Sequence, residues 1–254
     1  MNIGFETPLV NTPLLAILFF ATALLYSSVG HAGASGYLAA MALIGVEPSI
    51  MKPTALALNI LVATIATLRF YRAGCFSWSL LWPFACTSIP FAFLGGAITL
   101  PVHLFKTIVG IVLLWAAVKL FRTDIQVTES PAIIPVRLPV ALFSGAMIGF
   151  VSGLTGTGGG IFLSPLLFLM RWAEIRTISG VSAAFILFNS VAGLLGNFSS
   201  AGRLPASTLI YVPFVILGAF VGSKLGSKRI AGPSLRKLLA IVLVIAGFKF
   251  ILTI

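Results

Sequence analysis

The chain has 254 residues, 59% of them hydrophobic and 8% charged, with a mean hydropathy of +1.14 and a formal charge of +11. Soluble domains carry about 25% charged residues, so a water-soluble fold is excluded. Continuous rather than alternating apolar runs exclude a transmembrane β-barrel, and the basic excess reads as cytoplasmic loops rather than a nucleic-acid surface.

Eight apolar stretches follow in order: 12–44, 54–70, 79–98, 104–121, 138–169, 178–198, 207–223 and 235–253. A spanning helix needs about 20 residues. Six stretches fit one crossing each; the first and fifth are over-long. The first reads as a retained membrane segment, because residues 1–15 contain no Lys or Arg. It holds Ser28-Val29-Gly30-His31-Ala32-Gly33-Ala34-Ser35-Gly36. The fifth holds Gly153-Leu154-Thr155-Gly156-Thr157-Gly158-Gly159-Gly160. Glycine runs of this kind break a helix. Broken backbone at membrane depth must be buried in protein or line a polar cavity.

The two halves match in order. Asn59 corresponds to Asn189, Pro90 to Pro213, and Lys119 to Lys249. The fold expected is an all-α polytopic membrane protein forming a single transmembrane domain over 1–254. Repeat one covers 12–121, a polar linker 122–137, and repeat two 138–253. Each repeat has a Gly-broken helix hairpin followed by three spanning helices.

The basic residues indicate how the repeats are related. If each over-long stretch is a hairpin, one side holds twelve: Arg69, Arg72, Lys119, Arg122, Arg137, Arg171, Arg176, Lys224, Lys228, Arg229, Arg236 and Lys237. The other side holds four: Lys52, Lys106, Arg203 and Lys249. With eight single crossings the same count is nine against seven. The hairpin arrangement makes the repeats inverted and puts both termini outside the cytoplasm.

The candidate binding residues cluster at the breaks: Gly30, His31, Gly33, Ser35 and Gly36 in the first, and Thr155, Gly156, Thr157, Gly158, Gly159 and Gly160 in the second. Amides at a helix N-terminus or in a glycine nest bind anions without a cationic side chain. Close packing of small residues is the competing reading, and it suits Gly149-x-x-x-Gly153 well. Ser28, Ser35, Ser152, Thr155 and Thr157 either bond an oxyanion or bond back to their own helix. Asn59 and Asn189 are either walls of the site or bonds between helices. His31 is either a titrating group or a neutral ring held by a carbonyl. No Asp or Glu falls inside a membrane stretch, which disfavours a carboxylate relay or cation site. Lys119 and Lys249 read as snorkelling cations. Cys75 and Cys86 read as packing residues without metal spacing. Neither a metal nor a cofactor is expected.

Taken with Pro53-Thr54-Ala55-Leu56-x-Leu58-Asn59 and Phe70-Tyr71-Arg72-Ala73-Gly74, the first break resembles the first half of the TauE/SafE sulfite-exporter family. Ser152-Gly153-Leu154-Thr155-Gly156-x-Gly158-Gly159-Gly160, Pro165, Ser182-Ala183 and Asn189-Ser190 resemble its second half. The likeness runs over about residues 15–253. It implies a secondary transporter, often outward, for small sulfur oxyanions or organosulfonates. The partners expected are a small anionic substrate and the lipid bilayer of the cell (inner) membrane, with self-association left open and no nucleic acid. An anion channel of the same fold keeps the same site. An intramembrane serine protease built on Gly33-Ala34-Ser35-Gly36, with His31 or His103 as base, is the rival from another class.

Overall fold

The computed structural model describes residues 12–122, 134–200, 204, 206–228 and 233–252. Most of the linker expected at 122–137 lies outside the described residues, as does the side chain of Lys119. The described chain is all helical. In order the helices are α1 (Thr12–Ser27), α2 (Ala34–Ile44), α3 (Pro48–Arg72), α4 (Trp78–Ala97) and α5 (Val102–Arg122). They are followed by α6 (Leu138–Thr155), α7 (Gly160–Leu169), α8 (Ile175–Ser200), α9 (Thr208–Lys228) and α10 (Pro233–Leu252). Among the described residues, α3, α4, α6, α8 and α9 supply candidate membrane spans by length and apolarity.

Both over-long stretches split at their glycines. At 11 and 10 residues, α2 and α7 are too short to cross a bilayer alone. Each turns back along its predecessor. Ser35 Oγ meets Tyr26 Oη at 2.7 Å, Gly36 lies against Thr22, and the Tyr37 ring packs edge-on to Phe19 with centroids 5.0 Å apart. Rising numbers on α2 therefore meet falling numbers on α1. In the second half, the Ile134 N–H just before α6 donates to the Arg171 carbonyl just after α7 at 2.9 Å. That bond closes the mouth of the second hairpin.

Helices from the two halves interleave. Gly145, Gly149 and Gly153 on α6 face Phe84, Ser88 and Ala92 on α4, so these two helices run in the same direction. The α1–α9 pair does likewise, with the Phe19 and Tyr211 rings 5.0 Å apart, Gly218 against Phe20 and Gly222 against Leu24. The α3–α8 pair is antiparallel: Leu56 lies near Gly193, Asn59 bonds Ser190, and Phe70 lies near Gly180. The α5–α10 pair is antiparallel too, Gly110 meeting Ile251 and Leu114 meeting Gly247.

These contacts sort the loops into two ends. The Cys75 carbonyl touches Gly180 at one end, where Ile134 and Arg171 also meet within the second hairpin. At the other end Lys52 meets Ile98, Thr54 meets Thr208, and Lys249 meets Leu43.

Close approach of backbones is the packing principle, as small-residue interfaces in lipid require. A Cβ at Gly149 would strike the Ser88 carbonyl, whereas one at Gly193 would sit 3.4–3.6 Å from its neighbours, an ordinary contact. Gly149→Val is expected to destabilise the protein by about 1–3 kcal/mol or more through overpacking. Gly193→Ala is expected to leave stability nearly unchanged. Thermal unfolding followed by size-exclusion chromatography in detergent checks the contrast.

Candidate functional site

The break in each hairpin ends in a left-handed glycine that opens the following short helix. Gly33 caps α2 with φ 102°, and Gly159 caps α7 with φ 80°. A side chain at either position would be strained, so only glycine turns the backbone here without cost. The first N–H groups of α2 and α7 have no partner within their own helix. They carry the positive end of the helix dipole.

At the first break, Gly30 lies against Ser179 of α8. His31 reaches Ser164, so the first break touches α7. His31 Nδ1 lies 3.1 Å from the Val29 carbonyl, which places the proton on Nδ1. Nε2 then accepts from Ser164 Oγ at 3.2 Å, and Ser164 in turn meets Ser182 Oγ at 2.8 Å. This imidazole–hydroxyl–hydroxyl chain ties α1–α2 to α7 and α8. With that tautomer the chain has one polarity: Ser164 donates to Nε2 and accepts from Ser182.

At the second break, a Cβ on Gly158 would lie 2.5 Å from Asn59 Nδ2 and 3.1 Å from Ser190 Oγ. Gly160 packs on Ile186, and Gly156 packs on Lys52. Thr155 Oγ1 donates to its own-helix carbonyl at Val151 (2.7 Å) and meets Thr157 Oγ1 at 3.0 Å. Ser28 likewise bonds back to Leu25, and Ser35 is taken up by Tyr26. Ser152 Oγ is buried and finds no partner in the protein.

The two asparagines play different parts. Asn59 Nδ2 donates to Ser190 Oγ at 3.3 Å and so joins α3 to α8. Asn189 Nδ2 donates to Phe185 O of its own helix at 2.9 Å. Each keeps one fully buried oxygen, Oδ1, without a protein partner.

The breaks do not meet at one level. Along α8, Gly30 sits at Ser179, while Gly158 sits between Ile186 and Ser190. At 1.5 Å per residue that is a separation of roughly 10–16 Å along the helix. The polar groups form a column: His31, Ser164 and Ser182 above, Ser190 with Asn59 and Asn189 in the middle, and Thr157, Thr155 and Lys52 below. A cavity of about 360 Å³ lies elsewhere, between α6 and α7, lined by Trp115, Phe143, Met147, Phe162 and other mostly apolar residues. Its carbon lining does not suit an anion.

The structure does not pair Ser35 with His31. The Ser35 hydroxyl bonds Tyr26, and His31 faces Ser164 with a carbonyl, not a carboxylate, behind it.

A profile of the family described as "Sulfite exporter TauE/SafE" matches residues 14–250. The chain belongs to the TauE/SafE family. It is 39% identical over 239 residues to "Probable membrane transporter protein y4hK" of Sinorhizobium fredii, covering 93% of this chain and 97% of that one. It is 25% identical over 241 residues to "Probable membrane transporter protein YjnA" of Bacillus subtilis, covering 87% and 92%. No solved structure matches it significantly. This TauE/SafE chain is therefore a membrane transporter.

Four residues of the column escaped the sequence reading as site members: Lys52, Ser164, Ser182 and Ser190. The available signal was spacing. Lys52 precedes Asn59, and Ser182 precedes Asn189, by two helical turns, which puts each on the same face as its asparagine.

Because Asn189 bonds only its own helix, Asn189→Leu is expected to keep wild-type melting behaviour. It is expected to weaken sulfite binding by about tenfold, the lower range for one lost bond to a charged group. Asn59→Leu is expected to lower both affinity and melting temperature, because it also removes the α3–α8 bond. Calorimetric sulfite titration and thermal unfolding of the purified proteins separate the two effects.

Proposed function

We propose that this transporter is a secondary exporter of small sulfur-containing anions, such as sulfite or organosulfonates. The observation that carries the reading is the pair of hairpin tips. Each opens a short helix at a left-handed glycine inside the protein, and each is flanked by polar side chains, His31–Ser164–Ser182 at the first and Asn59–Ser190 at the second. Discontinuous helices with their N-terminal dipoles at the substrate are a recurrent device for anionic cargo in secondary transporters. Amide donors release an anion more readily than a buried cation cluster would. The unmatched Asn59 and Asn189 oxygens add acceptors, which suits an oxyanion that carries a proton, such as hydrogen sulfite.

The repeats are proposed to be inverted, which gives alternating access by rocking one half against the other. Two observations support this. The corresponding helices α3 and α8 run antiparallel to each other, as do α5 and α10. The loops also sort into two ends in agreement with the twelve-to-four division of basic residues. On that division the protein sits in the cell (inner) membrane with the 69–78 loop inside and both termini outside.

Gly159→Val is not a clean test of this site. A Cβ there would lie 2.9 Å from Phe185 and 3.0 Å from Ile148, so folding would suffer as well as binding. The direct experiment uses the wild-type protein in liposomes loaded with labelled sulfite. Saturable efflux, accelerated by external sulfite or a sulfonate through exchange and unaccompanied by channel-like conductance, is the expected result. Efflux linear in concentration, or none for any sulfur oxyanion, overturns the reading. Single cysteines at 73 and 226 are expected to label from the cytoplasmic side; labelling from opposite faces overturns the inverted arrangement.

A further inference from the structure

Lys52 lies inside the protein, 7% exposed, on the face of α3 that also carries Asn59. Its ammonium donates to three carbonyls at the end of α4: Gly96 at 2.8 Å, Ile98 at 3.2 Å and Gly95 at 3.3 Å. These are the negative end of a helix dipole, a favourable place for a cation. They carry only partial charge, so the full positive charge of Lys52 is not neutralised by them. A buried cation without a counter-charge is costly, and in membrane proteins such a group marks an ion pathway by default.

The side chain is next to the second break. A Cβ on Gly156 would lie 3.3 Å from both the Cα and the Cγ of Lys52, and the ammonium is three bonds beyond that Cγ. The carbonyl ends it holds, Gly95 and Gly96, themselves pack on α6 just before the break. Gly95 meets Leu154, and the Gly96 nitrogen would lie 2.8 Å from a Cβ on Gly153. Ammonium, α4 terminus and glycine turn therefore share one neighbourhood.

The other half of the chain offers an independent comparison. Ser182 stands to Asn189 as Lys52 stands to Asn59. Ser182 joins the chain to His31 at the first break. The same position thus serves the opposite break in both halves, with a hydroxyl at one and a cation at the other.

We propose that Lys52 is the cation of an anion-binding subsite at the second break, where it contacts the substrate directly. This rests on the anion-transport reading above. The ammonium keeps its short bond to Gly96 and exchanges one of the two longer ones, to Gly95 or Ile98, for an oxygen of the anion. Only a small side-chain shift is needed. The first break has no such cation in its hydroxyl chain, so the column is electrostatically asymmetric, with its tighter end at Lys52.

The test uses purified full-length protein in detergent near neutral pH, where the Lys52 ammonium keeps its charge, with sulfite, in large part the dianion, and methanesulfonate as the monoanion. Lys52→Met is expected to weaken sulfite binding by about tenfold to a hundredfold, as for loss of one charged hydrogen bond. Methanesulfonate is expected to lose less, because Coulomb attraction scales with ligand charge. Lys52→Gln, which donates to the same carbonyls without charge, is expected to fold where Lys52→Met does not and to show the same selective loss. Lys52→Arg is expected to restore most of the sulfite affinity. Folded Lys52→Met or Lys52→Gln protein that binds both anions as wild type does overturns the proposal and leaves the transport reading standing. Equal losses for the two anions also overturn it and make Lys52 only a helix cap. Wild-type protein that binds neither anion overturns the proposal and the reading together.

Discussion

Every peptide group in a bilayer must find a partner within the protein, and this chain breaks its helices twice within apolar stretches. The hairpin tips at Gly30–Gly33 and Gly156–Gly159 can exist only because the opposite half, or a neighbouring helix, covers them. Gly30 and His31 are covered by α7 and α8; Gly156 and Gly158 are covered by Lys52 and Asn59 of α3. Each break is covered partly by its own half, as Gly159 is by Phe185 and Ile148, and partly by the other. The interleaving of α1 with α9, and of α4 with α6, follows from that need. So does the density of glycine at those crossings, where backbones must touch.

The polar groups obey the same constraint. Most hydroxyls in the column are held by short bonds, either to their own helix, as with Thr155 and Val151, or to one another, as with Ser164 and Ser182. The exceptions are informative. Asn59, Asn189 and Ser152 each keep a buried oxygen without a protein partner, at a cost of about 1–3 kcal/mol apiece. They lie on the helices that meet the second break. Thr67, Ser88 and Asn197 likewise keep an unpartnered buried oxygen, so the expense is not confined to the second break.

Charge is placed by helix ends. Lys52 caps the carbonyl end of α4, and Lys249 donates to Leu43 at the carbonyl end of α2 at 2.8 Å. Lys249, expected to snorkel, donates to the carbonyl end of α2, where the C-cap Gly45 is exposed. The protein thus places these two cations at the negative ends of its helices, where the helix dipole favours them.

The sequence by itself determined the membrane environment, the two breaks, the hairpins and the matched order of the halves. These depend on composition, on run length against bilayer thickness and on glycine's freedom at positive φ, all of which act locally. Charge asymmetry added the expectation of hairpins, and the Ile134–Arg171 bond and the Tyr26–Ser35 contact realise it. Only the tertiary structure decided which residues face the breaks. Asn59 and Asn189 occupy matching places in the sequence, yet one bonds across to α8 and the other to its own helix. Ser164, Ser182 and Lys52 reach the column because α3, α7 and α8 cross there. The tertiary structure also sets the two breaks at different levels, displaced along α8. Such displacement depends on where helices of opposite halves cross, and crossing points are set by side-chain and backbone contacts between residues far apart in the chain.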